Sequence, residues 1–222
     1  MAKKAVLFDL DGTLLDTLED LCDAVNVTMR EFSSPERSLG EIRRFVGHGA
    51  ADLIEKSIES GRNNLNYDSA LAFFKKYYGG HADIKTRPYD GTVELLTRLA
   101  ERGIPCAVVT NKPDGAASEL CEKHFGALVL DCVGDREGLL RKPAPDKVFY
   151  MMKKLGCDEA VYVGDSEPDV LTAKNADMPC ICVTWGFRDR DVMEAVGGEI
   201  FCDDAGELEA EILRLLGYSE EK

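Results

Sequence analysis

From about Pro88 to Trp185 the chain alternates helix-patterned segments with short apolar runs, and this alternation restricts the fold more than any other feature. Thr92 to Arg102 precedes PCAVVTN, Pro113 to His124 precedes ALVLDCVG, Asp146 to Leu155 precedes AVYVGD, and a helical pattern from Pro168 leads to PCICVTW. Runs rich in Val, Ile and Cys with no polar alternation must be covered on both faces, which is the condition of a parallel sheet flanked by helices. With the opening run KAVLFDL as a further strand, the pattern predicts an α/β fold built on a doubly wound, Rossmann-like parallel sheet. Such sheets bind ligands beyond the carboxyl ends of their strands, so the residues that close each apolar run are the candidate site.

Between Leu18 and Tyr78 the period changes to that of helices. Leu18, Leu21, Cys22, Val25, Met29 and Phe32 form one stripe, Leu53, Ile54 and Ile58 a second, and Phe74, Tyr77 and Tyr78 contribute to a third. Several consecutive helices without a returning strand do not belong to a doubly wound sheet, so an all-helical cap domain inserted at residues 17–86 is expected, with residues 1–16 and 87–222 forming the core. The tail GYSEEK reads as a frayed end.

Composition narrows the function. A chain of 222 residues, 45% hydrophobic, can bury one compact core with room for a smaller second unit. Its net charge of −14 argues against a nucleic-acid surface, which needs clustered Lys and Arg. Residues 17–86 carry nine Lys or Arg against eleven Asp or Glu, leaving most of the negative charge on the remainder, so the insertion is the less repulsive side for an anion. Ala5 to Leu10 is too short for a signal-peptide core and no segment approaches membrane-spanning length, which points to a cytoplasmic protein. The eight cysteines are scattered, with Cys180 and Cys182 the one close pair, and His48, His81 and His124 lie nowhere near zinc-like spacing from it. Reduced core cysteines are expected.

The stretch FDLDGTLLDT places Asp9 and Asp11 on one side of a strand as it ends, with Gly12 free to turn the chain past them. A calcium loop would want glycine at its sixth position, whereas here it is fourth from Asp9. An Asp-Gly hairpin turn would explain Asp11 and Gly12 but give Asp9 no role. Paired carboxylates suit phosphoryl transfer, one attacking phosphorus and the other handling the leaving-group proton; the residues alone leave open which does which. A divalent cation between them and the substrate would relieve their repulsion, and hard oxygen ligands select magnesium.

Other run ends supply what remains. Thr110 and Asn111 close CAVVTN ahead of Pro113, where a hydroxyl and helix-start amides suit a phosphate oxygen or simply cap a helix. Lys142, in a loop before Pro143, offers a fixed cation. Asp165 ends AVYVGD where a metal ligand could face Asp9, and Asp169 reads either as the acid of a capping box begun by Ser166 or as a support beside the metal.

Taken together, FDLDGTLLDT, VVTNK, RKPAP and GDSEPDV resemble, in order and across essentially the whole chain, the motifs of the haloacid dehalogenase-like hydrolases, and within them the phosphoglycolate phosphatase group, with FVGHGAADLI inside the cap. The resemblance implies that Asp9 forms an aspartyl-phosphate while Asp11 acts as general acid, then base. It further implies magnesium held by Asp9, the backbone carbonyl of Asp11 and Asp165, with Thr110 and Lys142 gripping the phosphoryl group and Asn111 a lesser candidate. Asp11 argues for phosphate over carbon–halogen chemistry, because the dehalogenases lack that aspartate. Gly164 weakens the phosphomutase option, whose members usually carry an acid there. Phosphonate-cleaving relatives use a cap lysine; Lys56, Lys75 and Lys76 show no distinguishing context.

The Gly47-His48-Gly49 turn after Arg43 and Arg44 is expected to face the site, making Arg44 and His48 candidates for reading the substrate's non-phosphate end. Hinges are expected near Asp16 and Arg87. The expected partner is a small phosphorylated metabolite, phosphoglycolate before pyrophosphate, nucleotide monophosphates or sugar phosphates. A non-catalytic phosphate-binding switch of the receiver type is the reading from a different class, but receivers lack a large helical insertion after their first strand.

Overall fold

The computed structural model describes residues 3–218. The chain enters through β1 (Lys4–Phe8), which is fully buried from Ala5 onward. Val6 and Phe8 join one apolar cluster and Ala5 and Leu7 another, so the strand's period of two feeds a core on each face of the sheet.

After a short β2 (Leu15–Asp16) come α1 (Leu18–Glu31), α2 (Leu39–Phe45), α3 (Ala50–Ser57) and α4 (Tyr67–Gly79), and then β3 (Arg87–Pro88). This insertion has its own apolar cluster, in which the three expected stripes meet: Val25 and Met29 of α1, Ile54 of α3, and Phe74 and Tyr78 of α4 are buried together. β2 and β3 pair antiparallel, and Arg87 meets Asp16 at 2.9 Å, so the insertion leaves and rejoins the core at one place. The buried carboxylate of Asp20 fastens the return by accepting the backbone N–H groups of Ile84, Lys85 and Thr86.

The remaining chain repeats one unit. α5 (Thr92–Glu101) leads to β4 (Cys106–Pro113), α6 (Asp114–Phe125) to β5 (Asp131–Asp135), and α7 (Asp146–Leu155) to β6 (Glu159–Gly164). α8 (Glu167–Asn175) then leads to β7 (Cys180–Val183), α9 (Arg190–Glu194) to β8 (Ile200–Cys202), and α10 (Ala205–Leu215) follows. The strands order as β5-β4-β1-β6-β7-β8 with every neighbouring pair parallel. Because β1 is flanked by β4 and β6, the chain winds outward from it in both directions and opens a crevice at its carboxyl end.

Several details differ from the sequence expectation. Of ALVLDCVG only the end is strand, since residues 126–128 form a 3₁₀ turn and β5 begins at Asp131. β4 runs on through Thr110 and Asn111 to Pro113, so neither residue stands at a helix start. The sequence pattern offers no expectation for α9, β8 or α10. Residues 219–222 of the expected frayed tail lie outside the described residues. All eight cysteines are free, and Cys180 and Cys182 share a cluster with Val170 and Met193, on one side of β7 as their spacing suggests. Among the described residues no helix is long and apolar enough to cross a membrane.

Candidate active site

Asp9 follows directly on β1, with its N–H still bonded to the carbonyl of Val163 at 2.8 Å, so its position is fixed by the sheet. Two residues on, Asp11 is followed by Gly12 at φ +84°, a conformation that side-chain-bearing residues avoid. A Cβ at Gly12 would also strike the carboxylate of Asp165, so glycine here serves both the turn and the approach of Asp165 from the end of β6. Asp165 is held by the Thr13 hydroxyl, which donates to Oδ1 at 3.1 Å, and by the Phe187 N–H, which donates to Oδ2 at 2.7 Å.

Lys142 stands between two of the carboxylates, its Nζ 2.8 Å from Asp9 Oδ1 and 2.6 Å from Asp169 Oδ1. Burial alone would make the ammonium less basic, but Asp169 and Asp9 outweigh it and hold Lys142 well above the ordinary lysine range. Asp169 has both oxygens engaged. Oδ1 takes Lys142 and the Tyr162 hydroxyl, and Oδ2 takes the N–H and hydroxyl of Ser166, completing the capping box of α8. A side chain at Gly164 would collide with Asp169, so glycine here lets Asp169 approach the end of β6.

Asp9 is less well served. Its contact with Lys142 has the distance of an ion pair but not the alignment of a hydrogen bond, so the buried Oδ1 has no hydrogen-bond partner. Burial raises Asp9 to about 6 despite Lys142, and burial, then Asp169 and Asp9, raise Asp165 to about 8. Oxygens of Asp9, Asp165 and Asp169 lie within 4.8 Å of one another. The ion pairs of these carboxylates and of Asp11 are with two ammonium groups, Lys142 and Lys112. The excess of carboxylates, the oxygen-only donors and the Asp9 Oδ1 that makes no hydrogen bond all fit a hard divalent cation.

Thr110 is buried and borders the cavity above Asp9, and its oxygen accepts the Lys112 N–H at 3.3 Å. Asn111 does something other than the expected phosphate contact. Its amide donates to the carbonyls of Lys142 and Gly47, each at 3.1 Å, and its oxygen accepts the Lys142 N–H at 2.9 Å, so it braces the lysine loop against the insertion. Lys147, absent from the sequence expectation, is fully buried in the first turn of α7 and donates to the Thr110 carbonyl at 2.7 Å. Burial first, and then repulsion from Lys142, lower it to about 8.

Sequence reasoning also misses Lys112, which it meets only as the last letter of VVTNK. Its Nζ is 2.8 Å from Asp11 Oδ1 and bonds the hydroxyl of Tyr78 on α4. The same Asp11 oxygen accepts the Thr17 hydroxyl at 2.7 Å, so both donors converge on one atom.

The insertion closes over these groups and leaves a cavity of about 50 Å³ bordered by Asp9, Asp11, Thr110, Lys112 and Asp165 below and by Leu21, Leu53, Phe74 and Tyr78 above. Gly47 and Gly49 border it, as expected of their turn, but His48 between them is exposed and does not. Arg44 is likewise exposed on the outer side of α2. It is Arg43 that reaches the core, at Asp189 (3.0 Å), while Arg188 reaches back to the carbonyls of Arg43 (2.6 Å) and Val46. The helical period carries consecutive arginines to different sides, which explains why the neighbour rather than Arg44 makes the contact.

Residues 6–183 match the family model for haloacid dehalogenase-like hydrolases, and the chain belongs to that family. Similar chains include a phosphoglycolate phosphatase of Mesorhizobium japonicum, 34% identical over 204 residues covering 87% of this chain and 88% of that one. Another, from Rhodospirillum rubrum, is 36% identical over 215 residues covering 92% and 89%. A solved structure from Lactobacillus delbrueckii subsp. bulgaricus is similar with a TM-score of 0.89 and 33% identity, covering 96% of this chain and 99% of that one. The protein is a phosphoric monoester hydrolase.

Proposed function

We propose that this hydrolase is a magnesium-dependent phosphatase of a small phosphate monoester, 2-phosphoglycolate foremost, working through an aspartyl-phosphate. The observation that carries the reading is the largely buried set at the end of β1: four carboxylates whose ion pairs are with two ammonium groups, with one oxygen of Asp9 making no hydrogen bond. Asp9 attacks phosphorus, the bond to the leaving oxygen breaks, and Asp11 gives that oxygen its proton. Asp11 then takes a proton from water as the water attacks the aspartyl-phosphate, releasing phosphate and restoring Asp9. Thr110 and Lys142 hold the phosphoryl oxygens, and Asp169 fixes Lys142. Asp9, the backbone carbonyl of Asp11 and Asp165 would hold magnesium, which supplies positive charge to the phosphoryl oxygens.

The substrate choice is supported by the names of the relatives and by the narrowness of the cavity, which favours a leaving group of a few atoms. Residues 17–86 act in this reading as a cap that swings on β2 and β3 to admit substrate and exclude water. A cytoplasmic setting suits the eight unpaired cysteines, six of them buried. The test is phosphate release from 2-phosphoglycolate, pyrophosphate and small sugar phosphates, with and without EDTA, alongside Asp9→Asn. The expected result is turnover that is fastest on 2-phosphoglycolate and lost in EDTA and in the variant. A preference for pyrophosphate or a sugar phosphate would replace the substrate, and no turnover beyond Asp9→Asn on any of them would favour the switch.

A further inference from the structure

Two charged groups bordering the cavity, Lys112 and Arg188, have no task in the phosphoryl-transfer scheme. The Lys112 side chain is 1% exposed, an unusual position for an ammonium, and it comes from the same strand as Thr110, with which it borders the cavity. Two of its three N–H donors go to Asp11 and to the Tyr78 hydroxyl, and the ammonium also sits 4.6 Å from the centre of the Tyr78 ring. One donor remains. The other cation bordering the cavity, Arg188, has three of its five N–H donors on Glu167 and on the carbonyls of Arg43 and Val46, which tie its guanidinium to α2 and its end. The insertion's side chains at the cavity include the apolar Leu21, Leu53 and Phe74.

We propose that Lys112, held by Tyr78, is the residue that reads a carboxylate on the leaving group, selecting phosphate esters of short 2-hydroxy acids. The inference rests on the phosphatase reading above and deepens it. Asp11 meets the leaving oxygen, and the ammonium lies 2.8 Å from Asp11, so an acid group one carbon from that oxygen falls within reach of the remaining donor. In this enclosed site an anion paired with the ammonium gains a charge-assisted bond, whereas a neutral ester leaves the donor unmet. The selecting cation therefore comes from the sheet, and the insertion contributes the hydroxyl that aims it.

The experiment compares kcat/KM for 2-phosphoglycolate and ethyl phosphate, which share a two-carbon leaving group and differ in its charge, in wild type, Lys112→Met, Lys112→Arg and Tyr78→Phe. The quantity read is the ratio of the two, since Lys112 also touches Asp11 and either rate alone can fall. The expected ratio strongly favours 2-phosphoglycolate in wild type, drops about 100-fold in Lys112→Met mainly through KM, and is largely kept in Lys112→Arg. Tyr78→Phe, which removes one hydroxyl and keeps the ring, is expected to lower it about 10-fold and carries the test if Lys112→Met does not fold. A ratio that survives both substitutions overturns the proposal and leaves Lys112 as a support for Asp11. A wild type that cleaves both esters equally well overturns it while sparing the phosphatase reading, and one that cleaves no phosphate ester removes that reading itself.

Discussion

At the carboxyl end of the sheet, Asp9, Thr110, Lys142 and Asp165 are polar groups buried by strands that the core holds on both faces. Over them the insertion presents Leu21, Leu53 and Phe74, and a single hydroxyl from Tyr78. The first region spends packing energy on keeping charges out of water, where their fields are strong; the second spends it on excluding water and shaping a wall. Buried charge and the apolar wall that encloses it are thus supplied by different regions, and substitutions in the two should fail in different ways.

The largest effect is expected from the sheet end. Asp165→Asn keeps the shape but removes a charge from the carboxylate set, and kcat/KM for phosphate ester hydrolysis should fall about 10³-fold, with magnesium titrations shifted to higher concentration. An unchanged magnesium requirement would remove Asp165 from the metal. Next come two core truncations of similar burial, Leu7→Ala beneath Asp9 and Ile54→Ala in the insertion, each fully buried and each expected to cost about 3 kcal/mol in urea unfolding. The residual activity should separate them, the first losing kcat and the second chiefly raising KM. The same pattern in both would erase the distinction between the regions.

Lys147 gives a pH-dependent version of the contrast. Its folded value, about 8, is below the usual 10.5, so the unfolded chain binds its proton more readily. The charged form therefore burdens the fold fully below pH 8, and that burden is relieved as pH rises from about 8 towards 10.5. Relative to Lys147→Met, wild-type stability should climb by up to about 3 kcal/mol across that window, read by urea unfolding. The smallest effects belong to Arg44→Ala and His48→Ala, exposed and away from the cavity, with stability changes within about 0.5 kcal/mol and unaltered substrate ranking. A changed ranking would return the Gly47–Gly49 turn to the selecting role its sequence suggests.

The legible part of the molecule is the part governed by local rules. The closing residues of apolar runs single out Asp9, Asp11, Thr110 and Asp165, Lys142 gains interest only from their company as a loop cation, and all five meet at one edge of the sheet. What escapes depends on contacts distant in sequence. Lys112 sits before Pro113 like any loop lysine, and its burial comes from Tyr78, 34 residues earlier. Tyr78 reads as one more aromatic in a helical stripe, and nothing beside Arg188 hints that it bonds carbonyls 142 and 145 residues away. Asn111 has the right address and a different task, because an amide can satisfy backbone groups on two segments at once. β8 is only three residues long, and its strand-like character comes from pairing with β7 more than from its own pattern.

The covalent intermediate can be sought directly: acid-quench the enzyme during turnover of 2-phosphoglycolate with magnesium, digest it, and locate phosphoryl mass by peptide. Nucleophilic attack by Asp9 predicts one phosphoryl group on that residue, released by hydroxylamine and absent from Asp9→Asn. Sustained turnover with no phosphoryl group on Asp9, or comparable turnover by Asp9→Asn, would contradict it.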